Sequence, residues 1–329
     1  MRVLITGGTG FIGSRLVNRC LQRGDQVRVF GLVNTPAEEE NKKELEKLGV
    51  EFLLGSVTEK EDVVKAVEGI DVVFHLAAAQ HEANVPDLHF WKINVVGTRN
   101  IATAAEEAGV RRFVHGSTIG VYGEVSDGTV NEESPLNPMN IYGETKKEGE
   151  NVVLNIDGKM EVVVVRIPET YGPGDRRLLK LFKAIKGGKF FNIGSGQNKH
   201  HVMYVEDLID GFFVAAESKE AVGQIFLLAG NDVLTTDEMI VAIAEAMDKN
   251  PPKLRVPLWP FIVAAVFFEM TMKPLGKQPP LHRRRMDFFR KSFVLSGEKA
   301  KNTLGFAPQT TFSQGAKLTA DWYKENNML

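Results

Sequence analysis

Cysteine is nearly absent from this sequence. The single Cys20 lies in an apolar-periodic stretch, so no disulfide framework can hold the fold, and a reducing, cytoplasmic setting is the expectation. Charge of one sign is missing too. The 40 Lys and Arg residues nearly balance the 42 Asp and Glu, leaving a formal net charge of −2 and no global field for nucleic acid. Apolar runs of about 20 residues, the length needed to span a bilayer, are also lacking. The longest candidate, Leu258–Met272, covers 15 residues and contains Pro260 and Glu269. It is expected to be a buried helix of a smaller lobe, with a peripheral membrane contact as the alternative. The opening residues MRVLITGG enter a strand pattern at once, without the basic and apolar regions of a secretory signal.

What is present is an alternation of short apolar runs and helical periods. Strands are expected at Arg2–Thr6, Gln26–Phe30, Glu51–Leu54, Asp71–Leu76, Arg112–Gly116 and Glu161–Arg166. Helices are expected at Phe11–Arg23, Glu61–Glu68, Asp87–Ala108 and Ile141–Asp157. Such alternation predicts an α/β, Rossmann-type, doubly wound parallel sheet whose ligands sit beyond the carboxyl ends of its strands. After Tyr171 the pattern loosens, with helices expected near Leu178–Lys186, Val205–Ser218, Thr236–Met247 and Phe312–Glu325. The division is therefore a dinucleotide-binding domain over 1–170 and a substrate lobe over 171–329, with some C-terminal segments returning to the sheet. The run His282–Arg285, with Arg290 and Lys291, reads as a solvated face or as a contact for phosphate or anionic lipid.

Three motifs carry chemistry. Thr6-Gly7-Gly8-Thr9-Gly10-Phe11-Ile12-Gly13 joins a strand to a helix, where glycines let a pyrophosphate approach the amides of the helix N-terminus. Tyr142 and Lys146 stand four residues apart, one turn along a helix. The ammonium is expected to draw the phenol pKa down toward acid/base range. Ser117 and Thr118 close an apolar strand with hydroxyls suited to bind a reacting oxygen. His200-His201 is the one close histidine pair, and without a carboxylate or cysteine cluster no metal site is expected.

Together with His75-Leu-Ala-Ala, Asn94-Val-Val-Gly-Thr98 and Arg166 before Tyr171-Gly-Pro-Gly, these motifs give the chain its resemblance to the extended short-chain dehydrogenase/reductases of the NAD-dependent epimerase/dehydratase group. The resemblance implies a secondary alcohol/ketone oxidoreductase working by hydride transfer, with Thr118, Tyr142 and Lys146 catalytic. It implies an NAD or NADP site made by Gly7, Gly10, Phe11, Ile12, Gly13, Ser56, Val57, Leu76, Ala77, Ala78, Asn94, Tyr142 and Lys146. It also implies homodimers through the helices Asp87–Ala108 and Ile141–Asp157. The departures narrow this. Gly31 and Leu32 stand where NAD-preferring relatives carry an acid and many NADP-preferring ones a base, so cofactor choice stays open. Ile119-Gly120 replaces the Asp-Glu pair of dehydratases and cannot move protons. Glu169 and His200 replace an asparagine and an arginine of nucleotide-sugar enzymes. The C-terminal half, from Val256-Pro-Leu-Trp-Pro through Pro279-Pro-Leu to Ala300, resembles the 3β-hydroxysteroid-dehydrogenase-like branch, implying a hydrophobic small-molecule substrate. A nucleotide-sugar epimerase or reductase, and a non-catalytic NAD(P)-sensing or scaffold protein, are the alternatives.

Overall fold

The computed structural model describes residues 1–80, 85–123, 128–272 and 286–329. Its centre is a seven-stranded sheet, parallel throughout. The strands are β1 (Arg2–Thr6), β2 (Gln26–Gly31), β3 (Glu51–Leu54), β4 (Val72–His75), β5 (Arg112–Thr118), Glu161–Ile167 and Ile225–Leu227. Across the sheet the order is β3, β2, β1, β4, β5, then the strands at 161 and 225. The order reverses between β1 and β4, so a crevice opens at their carboxyl ends.

Alternation along the strands makes two apolar faces. Val3 and Ile5 join Val29, Phe74, Val114 and Val165 beneath helix α1 (Phe11–Gln22). Leu4 joins Phe30, Val73, Phe113 and Val164 on the other face. That face is covered by α3 (Lys60–Val67) and α5 (Thr98–Glu107), and Val153 of α6 (Ile141–Leu154) joins its core. The remaining early helices are α2 (Pro36–Lys47) and α4 (Asp87–Trp91); α4 runs into α5 through a π-helical turn, Lys92–Gly97.

The later helices are α7 (Leu179–Lys186), α8 (Val205–Glu217), α9 (Thr236–Glu245) and α10 (Trp259–Met272), followed by the helix Phe312–Glu325. Leu208 and Phe212 of α8 enter the first sheet core, while α7, α9 and the last helix form a cluster of their own around Phe182, Ile243 and Tyr323. Arg112, 1% exposed, donates from Nη1 to the carbonyls of Ala215 and Ser218, closing the C-terminus of α8. The expected burial of the 258–272 helix is corrected here. The helix forms, but Trp259, Val263, Phe267 and Met270 are each at least 60% exposed. No helix among the described residues is long and apolar enough to cross a membrane.

Two glycines set the crevice. Gly7 has φ +70°, and a Cβ there would lie 2.9 Å from the amide nitrogen of Ala77. A Cβ on Gly13 would lie 2.2 Å from the carbonyl oxygen of Gly7. Only glycine lets α1 approach the β1 turn so closely. Gly13→Ala is expected to destabilise by about 1–3 kcal/mol through overpacking, seen as a lower Tm by circular dichroism.

Candidate active site

Thr118 ends β5, and Tyr142 and Lys146 lie in the first half of α6, started by Asn140, whose side chain accepts from the Gly143 amide at 3.0 Å. The Thr118 hydroxyl hydrogen-bonds the Tyr142 phenol. Gly143 allows this approach, since a Cβ would come within 2.6 Å of the Gly120 carbonyl oxygen. Lys146 is 2% exposed and donates from Nζ to the Gly116 carbonyl at 2.6 Å, with His115 Nε2 at 3.4 Å. Burial draws the lysine down to about 8, against the pull of Glu150.

The expected lowering of the Tyr142 pKa is not what the structure has. Burial pushes the phenol up to about 12, and only the Thr118 bond opposes it. The ammonium is turned toward β5, where the Gly116 carbonyl holds it. Tyr142 is thus a proton-holding phenol at neutral pH.

Behind these residues lies a closed polar network. The Glu150 carboxylate, fully buried, takes two bonds from Arg166, at 3.0 Å from Nε and 2.8 Å from Nη2, and a short bond from the Ser117 hydroxyl. Arg166 Nη1 also donates to the Tyr122 hydroxyl at 2.8 Å. On β1, two strands across the sheet from β5, the Thr6 hydroxyl accepts from the Leu76 and Ala77 amides. It therefore donates to His75 Nδ1 at 2.7 Å. His75 Nε2 then donates to Thr98, whose hydroxyl donates to the Asn94 carbonyl. Burial holds His75 neutral, down to about 3, and keeps His115 well below its usual range. Asn94 sits on the π-helical turn, facing the backbone of Ala79 and the Thr145 hydroxyl.

Thr118, Tyr142 and Lys146 share one cleft, of about 710 Å³, with Gly7, Gly10, Phe11, Ile12, Gly13, Ser56, Val57, Leu76, Ala77 and Ala78. Asn94 is not in its wall but supports it from behind, through Ala79. These cleft residues lie at or beyond the carboxyl ends of β1, β3, β4 and β5 or in the first half of α1 and α6.

The family model of the NAD dependent epimerase/dehydratase family matches residues 3–229. The chain belongs to that family. Sterol-4-alpha-carboxylate 3-dehydrogenase, decarboxylating, of Homo sapiens is 26% identical, over 98% of this chain and 88% of its own. UDP-glucose 4-epimerase of Vibrio cholerae is 29% identical, over 99% and 96%. Among solved structures, a double mutant of dTDP-glucose 4,6-dehydratase from Streptomyces venezuelae, with NAD bound, superposes with a TM-score of 0.78 at 26% identity, covering 99% of this chain and 98% of that one.

As an epimerase/dehydratase-family oxidoreductase the protein is an NAD-dependent enzyme, and its residues fit the cofactor. Gly10 begins α1 with no side-chain cap, so the first-turn amides of Phe11, Ile12 and Gly13 border the cleft.

Several sequence-flagged residues are placed elsewhere. Glu169 is exposed and outside the cleft wall, and its charge acts on Arg177, which lines the cleft. His200 is buried, bonded to Asn198 and Thr236 and stacked on Phe288 at 4.6 Å, and burial holds it neutral, down to about 4. His201 instead faces the Gly230 carbonyl and the Leu295 amide. Pro279-Pro-Leu and His282–Arg285 lie outside the described residues.

Sequence reading passed over α2. Its start is a capping box: Thr35 accepts from the Glu38 amide at 3.2 Å, and Glu38 Oε2 accepts from the amides of Asn34 at 2.8 Å and Thr35 at 2.9 Å. Thr35-Pro36-Ala37-Glu38 carries that signal in the sequence itself. Glu38 lines the cleft just beyond Gly31.

Glu150→Gln, which leaves Arg166 buried without its countercharge, is expected to cost about 3–5 kcal/mol. Denaturant unfolding of both proteins measures it.

Proposed function

We propose that the enzyme interconverts a secondary alcohol and a ketone on a largely apolar substrate, with Thr118, Tyr142 and Lys146 as its catalytic group. The observation that carries this is the meeting of the Thr118 hydroxyl, the Tyr142 phenol and the buried Lys146 in the cleft that also holds the glycine turn. NAD, when bound, supplies the hydride acceptor or donor. In ketone reduction, Tyr142 gives its phenolic proton to the carbonyl oxygen as that oxygen takes on charge, and Thr118 holds the same oxygen. In alcohol oxidation the phenolate takes the hydroxyl proton. Lys146, held by the Gly116 carbonyl, lines the same cleft and is placed to hold the cofactor.

The preference for an apolar substrate rests on how the nearby cations are used. A sugar diphosphate needs paired cationic donors. Arg166 is committed to Glu150, Arg176 to Glu40, and Arg177 to Asp175, while His200 is neutral. The substrate side of the cleft offers Ile167, Pro168 and Trp322. The sterol dehydrogenase among the relatives acts, by its name, on a sterol carboxylate, and the epimerase on UDP-glucose, so kinship alone favours neither. For the cofactor, Glu38 supports selection of NAD over NADP, since its carboxylate already occupies the Asn34 and Thr35 amides, just before α2, that a 2′-phosphate would seek.

Tyr142→Phe is expected to lower turnover by about 10²–10⁴ while NADH still binds, followed by stopped-flow rates and fluorescence titration. A near wild-type rate would point to the sensing or scaffold alternative. Because the phenol holds its proton to about 12, oxidation is expected to quicken as pH rises from 7 to 10, whereas reduction does not. Glu38→Gln is expected to tighten NADPH binding by about tenfold or less, with NADH unchanged, read by calorimetry. A thermal-shift panel with NAD present, setting UDP- and TDP-sugars against steroid and long-chain β-hydroxy or β-keto ligands, tests the substrate class. Stabilisation by a nucleotide sugar alone overturns it.

A further inference from the structure

His115 on β5 touches the site from behind, fully buried and outside the cleft wall. Its ring reaches across to α6, where Gly149 leaves room for it: a Cβ on that glycine would lie 3.4 Å from His115 Nε2. The same nitrogen stands 3.4 Å from Lys146 Nζ. An ammonium carries three N–H groups and no lone pair, so the imidazole nitrogen that faces it must be the bare one. His115 is therefore the tautomer with its proton on Nδ1 and its lone pair on Nε2. Burial keeps the ring neutral, which leaves that lone pair free to accept. Nδ1 is buried and has no hydrogen-bond partner among the described residues. An unpaired buried N–H is costly, and an apolar ring in this place would avoid the cost. What the histidine supplies in return is an acceptor for Lys146.

Of the three N–H groups of the ammonium, one goes to the Gly116 carbonyl at 2.6 Å and a second faces His115 Nε2. Lys146 also lines the cleft, so the third is left for a ligand there. A lysine head is a point charge on a flexible four-carbon stem, and a single acceptor would let it swing. Two acceptors from adjacent residues of β5 fix it. The other groups around the ammonium do not take this part. Glu150, one turn further along α6, acts on it through charge, its oxygens being bonded to Arg166 and Ser117. His75 on β4 is neutral and bonded to Thr6 and Thr98. Tyr142, on the same helix as Lys146, has its phenol bonded to Thr118.

We propose that His115 is a positioning residue, which accepts a hydrogen bond from Lys146 and so aims the remaining N–H of the ammonium into the cofactor cleft. The inference rests on the reading of Lys146 as a residue that holds the cofactor. In the wild-type protein at pH 7, NMR of the ring nitrogens is expected to show His115 protonated on Nδ1 and bare on Nε2. A ring protonated on Nε2 overturns the proposal. Fluorescence titration with NADH across a range of pH gives the second readout. Burial sets Lys146 at about 8, so wild-type affinity is expected to fall as pH rises through that value and the cation is lost. His115→Phe and His115→Leu remove an acceptor that favours the cation. Both are expected to bind NADH about tenfold more weakly at pH 7, with the midpoint of the pH profile lower by about one unit. His115→Gln, whose amide oxygen accepts in place of the ring, is expected to stay within about twofold of wild type and to keep its midpoint. A Gln variant as weak as Phe and Leu would make the ring a matter of packing, and Phe and Leu variants that bind as wild type would leave it no role; either result overturns the proposal. Lys146→Ala separates the inference from the reading beneath it. Weaker NADH binding there, with none lost in His115→Phe, removes the role of His115 alone, whereas unchanged binding in Lys146→Ala removes the reading itself.

Discussion

The ion pair between Glu150 and Arg166 is the constraint on which the site depends. It joins the middle of α6 to the strand Glu161–Ile167, and through Ser117 and Tyr122 it also holds β5 and the turn that follows it. Two charges removed from water are tolerable only when every lone pair and N–H is answered, and here a carboxylate with three donors nearly reaches that condition. The consequence is positional. Tyr142 and Lys146 ride on α6, Thr118 ends β5, and the pair fixes those two elements relative to each other. The relative placement of Thr118, Tyr142 and Lys146, the proposed catalytic group, is therefore set by an ion pair outside the cleft wall.

Beside that pair stands a further buried cation, Lys146. His75 and His115 are neutral, and Lys146 is the buried ammonium between Glu150 and the Gly116 carbonyl. The same burial that eases the lysine toward its neutral form makes the phenol hold its proton. Both shifts come from desolvation and act in opposite directions on an acid and a base, so both charged states become costlier and the two pKa values move apart.

Most of this was legible in the sequence because it depends on short-range rules. Apolar runs of five or six residues separated by helical periods can form little besides a parallel sheet, and a glycine-rich turn from strand to helix has few uses other than holding phosphates. The helix carrying Tyr142 and Lys146 could be read from spacing alone. What escaped was whatever depends on distant partners. The strand Ile225–Leu227 has three residues and no recognisable period, and it exists because the strand at 161 offers it a free edge. The helix α2 buries only Leu45, so it has no apolar stripe to notice, although its capping box was there to be read. The exposure of α10 was misjudged because hydrophobicity gives the tendency of a residue to leave water without naming the surface that receives it. The raised phenol pKa escaped because spacing puts Lys146 near Tyr142 but does not tell where its ammonium turns.

The position of Ile225–Leu227 in the chain has a consequence for synthesis. The sheet that carries the cofactor turn begins at residue 2, yet its last strand is supplied some sixty residues after the sixth, and Phe212 of α8 and Phe306 complete the core on one of its faces. A nascent chain that has emerged only as far as Ile167 would show water one open strand edge and an uncovered apolar face. Both are the features that invite wrong pairing. The glycine turn and the helix of Tyr142 and Lys146 are made early but join a finished sheet late. Through that interval, the protein's safety lies in the speed with which the C-terminal half arrives.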